Sequence, residues 1–294
     1  MSRMHIIEHV APRFWSIVPI FRGPFLERVA RGTHVRAMLE LADHHSSFGP
    51  PSPLRPLSEW FDFFYQLLFE RYRCEYVYKN AIATKIFLSR HSLKNSFMTD
   101  EIRSAGSRAD VAILNGTSTV YEIKSQYDSF DRLNDQLGDY KKVFDRICLV
   151  TPHSKAVSIL HSLESKVGVI AMRDDGTLST LREPASNKEN TDPGAIFDCM
   201  RRSESNRALI EAYGFVPQVP NSQLYRKTRE MFRSLPPGMA HDLMVRQVKR
   251  RGKKKPFTDL IHGAPRSLKH ACLSFSKSAA MATKIAERLT QPLT

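Results

Sequence analysis

Apolar and polar positions alternate most clearly in residues 108–125, RADVAILNGTSTVYEIKS. Residues 109–114 and 119–125 each read as a strand, with Asn115-Gly116 between them. Asn-Gly tolerates positive φ at low steric cost, which makes it the strongest short-range signal for a hairpin. After the hairpin the period lengthens. Phe130, Leu133, Leu137, Tyr140 and Phe144 keep a helical repeat and predict a helix over 128–143. The run RICLVT at 146–151, stopped by Pro152, predicts a buried strand, 154–164 a short helix, and VGVIAM at 167–172 another strand. Asp174-Asp175-Gly176 is a turn leading into 177–181.

Upstream, residues 1–48 read as mostly helical, with Gly32 interrupting the repeat. His44 and His45 are adjacent, so on a helix they point about 100° apart and read as a surface pair. Gly49-Pro50-Pro51-Ser52-Pro53, with Pro56 behind it, is a stiff connector. A buried aromatic helix follows from Ser58 through Trp60, Phe61, Phe63, Phe64 and Phe69, and a further helical stretch covers 74–88. Residues 89–107 read as a polar linker into the hairpin. Beyond the polar break at 184–194, helices are expected over 195–213, 222–234 and 238–251. The expected division is 1–56 as a helical arm and connector, 57–183 as the core, and 184–294 as a basic helical C-terminal region.

Charge changes this picture. The net charge is +14, and residues 226–294 hold 16 Lys and Arg against 4 Asp and Glu, which leaves the first 225 residues with 28 against 26. A basic C-terminal region on a near-neutral body points to a polyanion, most simply nucleic acid. Its densest part is Lys249, Arg250, Arg251, Lys253, Lys254 and Lys255, a run suited to phosphates rather than to reading sequence. The plain alternative is a tail kept for solubility or for an acidic protein. No apolar run reaches the ~18 residues of a membrane span, and the start is a poor secretory signal. Cys74, Cys148, Cys199 and Cys272 are scattered, with no C-x-x-C pair, and read as reduced structural thiols of a cytoplasmic protein.

The candidate chemistry lies in the hairpin. Glu122 and Lys124 are two apart on one strand and share a face. Asp110 starts the other strand, and spacing alone does not settle its face. Two carboxylates and a lysine suit a metal-dependent phosphodiesterase: the carboxylates hold a hard cation, and the lysine orients water or offsets phosphate charge. The plain alternative is the solvent face of an ordinary strand.

The stretch resembles the PD-(D/E)xK nuclease superfamily, with Asp110 as the aspartate and Glu122-Ile123-Lys124 as the E-x-K. Gln136 and Tyr140 match the Q-x-x-x-Y element of its exonuclease-like branches, and the RAD…NG…YEIKS wording is similar to a bacterial and phage branch. Ala109 stands where the namesake proline would be. The resemblance covers roughly residues 75–172. It implies an α/β fold with a restriction-endonuclease-like core, a mixed central sheet flanked by helices. It implies a DNA endonuclease using Mg2+, with Mn2+ as a substitute, in a phage, mobile-element or defence setting. It implies Asp110, Glu122 and the Ile123 carbonyl as metal ligands, with Glu75 as the best-placed third acid and Glu70 as its rival. Lys124, Gln136 and Tyr140 complete the implied catalytic set. The alternative within the same fold is a catalytically inactive nucleic-acid-binding protein. A double-strand cutter with one site per chain implies a homodimer.

Overall fold

A computed structural model describes residues 13–293, without the side chain of Glu101. The opening stretch read above for a secretory signal lies mostly outside the described residues. The contacts divide the chain into two compact units, one formed by residues 1–89 and 253–294, the other by 90–252. Local composition had placed the boundaries at 56 and 183. The contacts place them elsewhere because the chain leaves the first unit, builds the second, and returns.

The first unit is helical. Its N-terminal part comprises α1 (Gly23–Arg31), α2 (Val35–His44), α3 (Leu57–Arg71) and α4 (Glu75–Ile82), the last running on through a π-helical turn at Ala83–Phe87. Phe21 stacks on Tyr76 at 4.5 Å, and Phe61 and Phe64 are fully buried, as the aromatic run predicted. His45 departs from the surface pair expected above. It is buried, its Nδ1 is 2.9 Å from the Leu41 carbonyl, and its ring packs against Phe14 and Phe64. The chain end closes this unit. Asn80, 2 % exposed, donates to the Arg266 carbonyl at 2.9 Å and accepts from the His270 amide at 3.0 Å. Truncation of Asn80 to alanine strands both backbone groups, and a loss of about 2 kcal/mol is expected in the urea midpoint of the first unit.

The second unit is α/β. Among the described residues six strands, β1 (Phe97–Ser104), β2 (Ser107–Leu114), β3 (Ser118–Ile123), β4 (Arg146–Pro152), β5 (Gly168–Met172) and β6 (Leu178–Arg182), form one sheet in chain order. It is mixed: β3–β4 and β4–β5 are parallel and the other pairs antiparallel. The parallel steps are bridged by α5 (Leu133–Lys141) and α6 (His153–Ile159). The hairpin forms where Asn115-Gly116 predicted it. Gly116 sits at φ 120°, a conformation closed to most residues with a β-carbon.

Strand β1 replaces the linker expected at 89–107. Its polar residues hid it, and a distant clamp holds it. Asp139 on α5 accepts from the Ser107 hydroxyl at 2.8 Å through its side chain and from the Ser104 hydroxyl at 2.7 Å through its carbonyl, pinning the β1–β2 turn.

Four helices follow: α7 (Pro193–Cys199), α8 (Arg202–Tyr213), α9 (Asn221–Arg233) and α10 (Pro237–Lys249). The helix expected over 195–213 is broken at Met200-Arg201. These helices belong to the same unit as the sheet rather than to a separate basic region. Phe197, Leu209, Phe232 and Met244 share one core with Ala112, Val120 and Leu149. Inside that core, buried His241 on α10 places Nε2 2.8 Å from the Ser118 hydroxyl at the start of β3. The chain finishes in the first unit with α11 (Phe257–Gly263), α12 (Lys269–Ser274) and α13 (Ala279–Leu289). Among the described residues no helix is long and apolar enough to cross a membrane.

Candidate active site

The register settles where Asp110 points. Ala112 pairs with Val120, Val120 with Ile147, and Leu149 with both Glu122 and Val169, so these side chains share one face. Asp110 is two residues from Ala112 and therefore points to that face as well. Lys124 follows Glu122 by two and joins it. Helix α5 covers the same face with Leu133, Leu137 and Tyr140.

The result is a connected cluster. Asp110 Oδ2 accepts from the Ile123 amide at 2.8 Å, just beyond the last backbone pair of β2 and β3. Glu122, 1 % exposed, has both carboxylate oxygens engaged. Oε1 is 3.0 Å from Lys124 Nζ, and Oε2 is 2.6 Å from the Tyr140 hydroxyl. Lys124 Nζ also donates to Gln136 Oε1 at 2.7 Å. The Tyr140 hydroxyl lies 3.0 Å from the Arg108 carbonyl, but it has one proton, and the shorter contact to a charged acceptor takes it. Burial first, and then the negative charges of Glu122 and Asp110, push the Tyr140 phenol well above its ordinary range. It therefore stays a donor at any working pH. Tyr140→Phe keeps the ring packing and removes that donor. The expected cost is about 1–2 kcal/mol in the denaturant midpoint, with no change of fold.

Five residues singled out in the sequence, Asp110, Glu122, Lys124, Gln136 and Tyr140, thus meet in one place. Glu75 is different. It opens α4 in the first unit and pairs with Lys79 at 2.6 Å across one helical turn. Among the described residues no group of three or more His, Cys, Asp or Glu side chains gathers as a metal cluster. The four cysteines are free, and burial lifts their thiols, that of Cys74 to about 11.

The sequence reading missed the supports beneath the site. Thr151 Oγ1 donates to the Lys124 carbonyl at 2.6 Å. Asp128 accepts from the Ser125 amide at 2.8 Å and hydroxyl at 2.6 Å, and Lys155 on α6 donates to the Ser125 carbonyl at 3.0 Å. The Asp128–Ser125 spacing was a local turn signal. Lys155 lies 30 residues away and left none.

The basic run crosses from one unit to the other, and it is not one uniform cationic surface. Arg251 is committed to Glu204, with Nε–Oε1 at 2.6 Å and Nη2–Oε2 at 2.5 Å. Lys253 donates to the Phe275 carbonyl at 2.5 Å and lies over the Phe257 ring. Arg250, Lys254 and Lys255 are exposed, and Lys249 is half-buried.

Fold and cluster define an α/β protein with a mixed sheet flanked by helices and a carboxylate–lysine site on one sheet face. The chain belongs to the bacteriophage P4 protein cII family, which it matches over residues 69–258, a span that takes in the whole second unit. Protein cII of Enterobacteria phage P4 is 34 % identical over 70 residues, or 24 % of this chain and 26 % of that protein. The chain therefore spans about a quarter of that relative's length. A solved protein of unknown function from Silicibacter pomeroyi aligns at 18 % identity over 41 % of this chain and 82 % of its own, with a TM-score of 0.29.

Proposed function

We propose that this protein is a metal-dependent phosphodiesterase of the PD-(D/E)xK kind that cleaves DNA. The observation that carries the reading is the hydrogen-bonded cluster itself: two carboxylates and a lysine on one sheet face, held by an amide and a phenol from the covering helix. The donor set fits Mg2+, or Mn2+ in its place. Such cations take oxygen ligands and keep several waters, so two carboxylates and a backbone carbonyl suffice. Asp110 and Glu122, with the Ile123 carbonyl, would hold the ion. When bound, the ion makes a water nucleophilic at neutral pH and offsets charge on the phosphate.

The chain's own residues do the rest. Lys124 is held by Gln136 at a position from which an ammonium can orient water or neutralise a phosphoryl oxygen. Tyr140 fixes one Glu122 oxygen and so restricts how the carboxylate turns. Exposed Arg250, Lys254 and Lys255 are the residues of the run proposed to meet backbone phosphates, with Lys249 beside Arg250, whereas Arg251 and Lys253 already hold Glu204 and the Phe275 carbonyl.

The test is supercoiled plasmid incubated with purified protein and Mg2+ or EDTA, beside a Glu122→Gln variant. Nicking that needs both the ion and Glu122 is expected. Salt-sensitive DNA retention without cleavage by either protein would replace this reading with the inactive, nucleic-acid-binding one.

A further inference from the structure

Away from the carboxylate–lysine cluster, helices α7, α8 and α9 of the second unit line a partly open cavity of about 170 Å3. Its apolar wall is Phe197, Met200, Leu224 and the Tyr225 ring. A closed apolar cavity of ~150 Å3 accepts benzene, so this volume suits one flat ring system and not a large ligand. Two amides edge the slot. Asn221 accepts one long bond from Arg202 at 3.4 Å, and the side chain of Asn206, which lines the cavity, makes no hydrogen bond to the described residues. An amide open beside an apolar wall offers both a donor and an acceptor to the edge of a heterocycle.

A second concavity of about 490 Å3 adjoins this slot and shares Asp198 and Tyr225 with it. Its other lining residues are Arg226, Arg229, Glu230 and Arg233. The two acids do not oppose an anion here. Arg229 grips Asp198 through both carboxylate oxygens, at 2.9 and 3.1 Å from Nε, and Glu230 pairs with Lys227 at 3.1 Å. Arg233 is exposed with no partner among the described residues, and Arg226 approaches Glu230 only to 4.0 Å. Arg233 is thus left to face the concavity, and Arg226 stands beside it in a loose pair with Glu230. The Tyr225 ring, 61 % exposed and 5.7 Å from Phe197, stands at the join.

We propose that this double pocket binds a nucleoside phosphate, with the base in the Phe197–Met200 slot against Asn206 and the phosphate against Arg226 and Arg233. The ring-sized slot, the unpaired amide and the surplus cations adjoin in that order, which is the order of the parts of a nucleotide. The same chemistry is presented by a free mononucleotide and by one unstacked nucleotide of a single strand. The inference does not depend on hydrolysis at the carboxylate–lysine cluster.

The experiment is calorimetry on the full chain in EDTA with AMP, adenosine and inorganic phosphate, and fluorescence anisotropy with a labelled single-stranded DNA decamer and its duplex. Saturable binding of AMP or of the single strand is expected. Arg233→Ala should weaken it about tenfold, the scale of one lost charged hydrogen bond. Asn206→Ala should weaken AMP or strand binding several-fold while leaving phosphate binding unchanged. Both side chains lie outside the core, so unchanged melting of the variants shows that the loss is local. Binding of AMP assigns a free nucleotide as ligand, and binding of the strand alone assigns a polynucleotide. The proposal is overturned by no saturable binding at millimolar ligand, by binding indifferent to both variants, or by phosphate binding as tightly as AMP.

Discussion

Lys124→Ala is expected to lower the proposed Mg2+-dependent plasmid cleavage by about 10²–10³-fold, the usual cost of removing one positioned group that stabilises developing charge. The same change should also lower stability, and the reason is on the page. Glu122 is 1 % exposed, and Lys124 is the cation at 3.0 Å from its carboxylate. Deleting one partner leaves the other charge buried and uncompensated, which costs on the order of 3 kcal/mol. For a unit of this size that is roughly 6–12 °C in melting temperature. The two effects separate by adding metal. If Glu122 and Asp110 hold a divalent cation, Mg2+ should raise the melting temperature of Lys124→Ala, because the ion restores the missing positive charge. Full cleavage by Lys124→Ala would mean that the active site lies elsewhere. No cleavage by the unaltered protein, with a folded variant that melts lower and gains no stability from Mg2+, would leave the cluster as a purely structural ion pair.

The second large effect is expected at Asp145, which no sequence motif marked. Its side chain is 6 % exposed and accepts from the Thr117 hydroxyl at 2.6 Å, the Ser186 hydroxyl at 2.5 Å, and the amides of Asn187 and Lys188 at 3.1 and 3.0 Å. One carboxylate thus ties the hairpin turn to the segment that leads into α7. Asp145→Ala strands these donors together, and a loss of about 3–4 kcal/mol is expected from the denaturant midpoint of the second unit. Asp145→Asn, which keeps one acceptor, should fall between.

The dependence on pH follows from the shift at Asp145. Burial alone would raise the carboxyl, but the bonds from Ser186, Thr117 and the Asn187 amide outweigh it and hold it below its ordinary value. A depressed folded pKa gives stability that is fully present above the unfolded value, about 3.9, and is lost as pH falls through the folded value. The gap between wild type and Asp145→Ala should therefore be widest near neutral pH and close in acid. A gap that does not change with pH would show that the cost comes from packing and not from the charged form.

The legible part of the site was its strand geometry. Glu122 and Lys124 share a face because strands alternate with a period of two, and Gln136 and Tyr140 share one because helices repeat every 3.6 residues. Where Asp110 points was not legible. Its face depends on the register of β2 against β3, which the turn type alone left open. Strand β1 was hidden for a related reason: FMTDEIRS has too few apolar residues to announce itself, and Asp139 on another element holds its turn. Arg251 and Lys253 read as free cations until Glu204 and the Phe275 carbonyl, far away in the chain, took them up.

The sequence by itself determined the hairpin, the helices and strands that follow it, the aromatic helix α3, and the shared face of Glu122 and Lys124. Periodicity and turn chemistry are local, so they can be read residue by residue. The tertiary structure decided the rest. It broke the chain at 89 and 252 and returned the C-terminal helices to the N-terminal unit. It buried His45 and His241, joined Asp110 to the Ile123 amide of the neighbouring strand, and gave Asp145 its four donors. Each of these rests on contacts between residues far apart in sequence. Such contacts depend on which surfaces meet once the chain has collapsed, and no short window of residues holds that information.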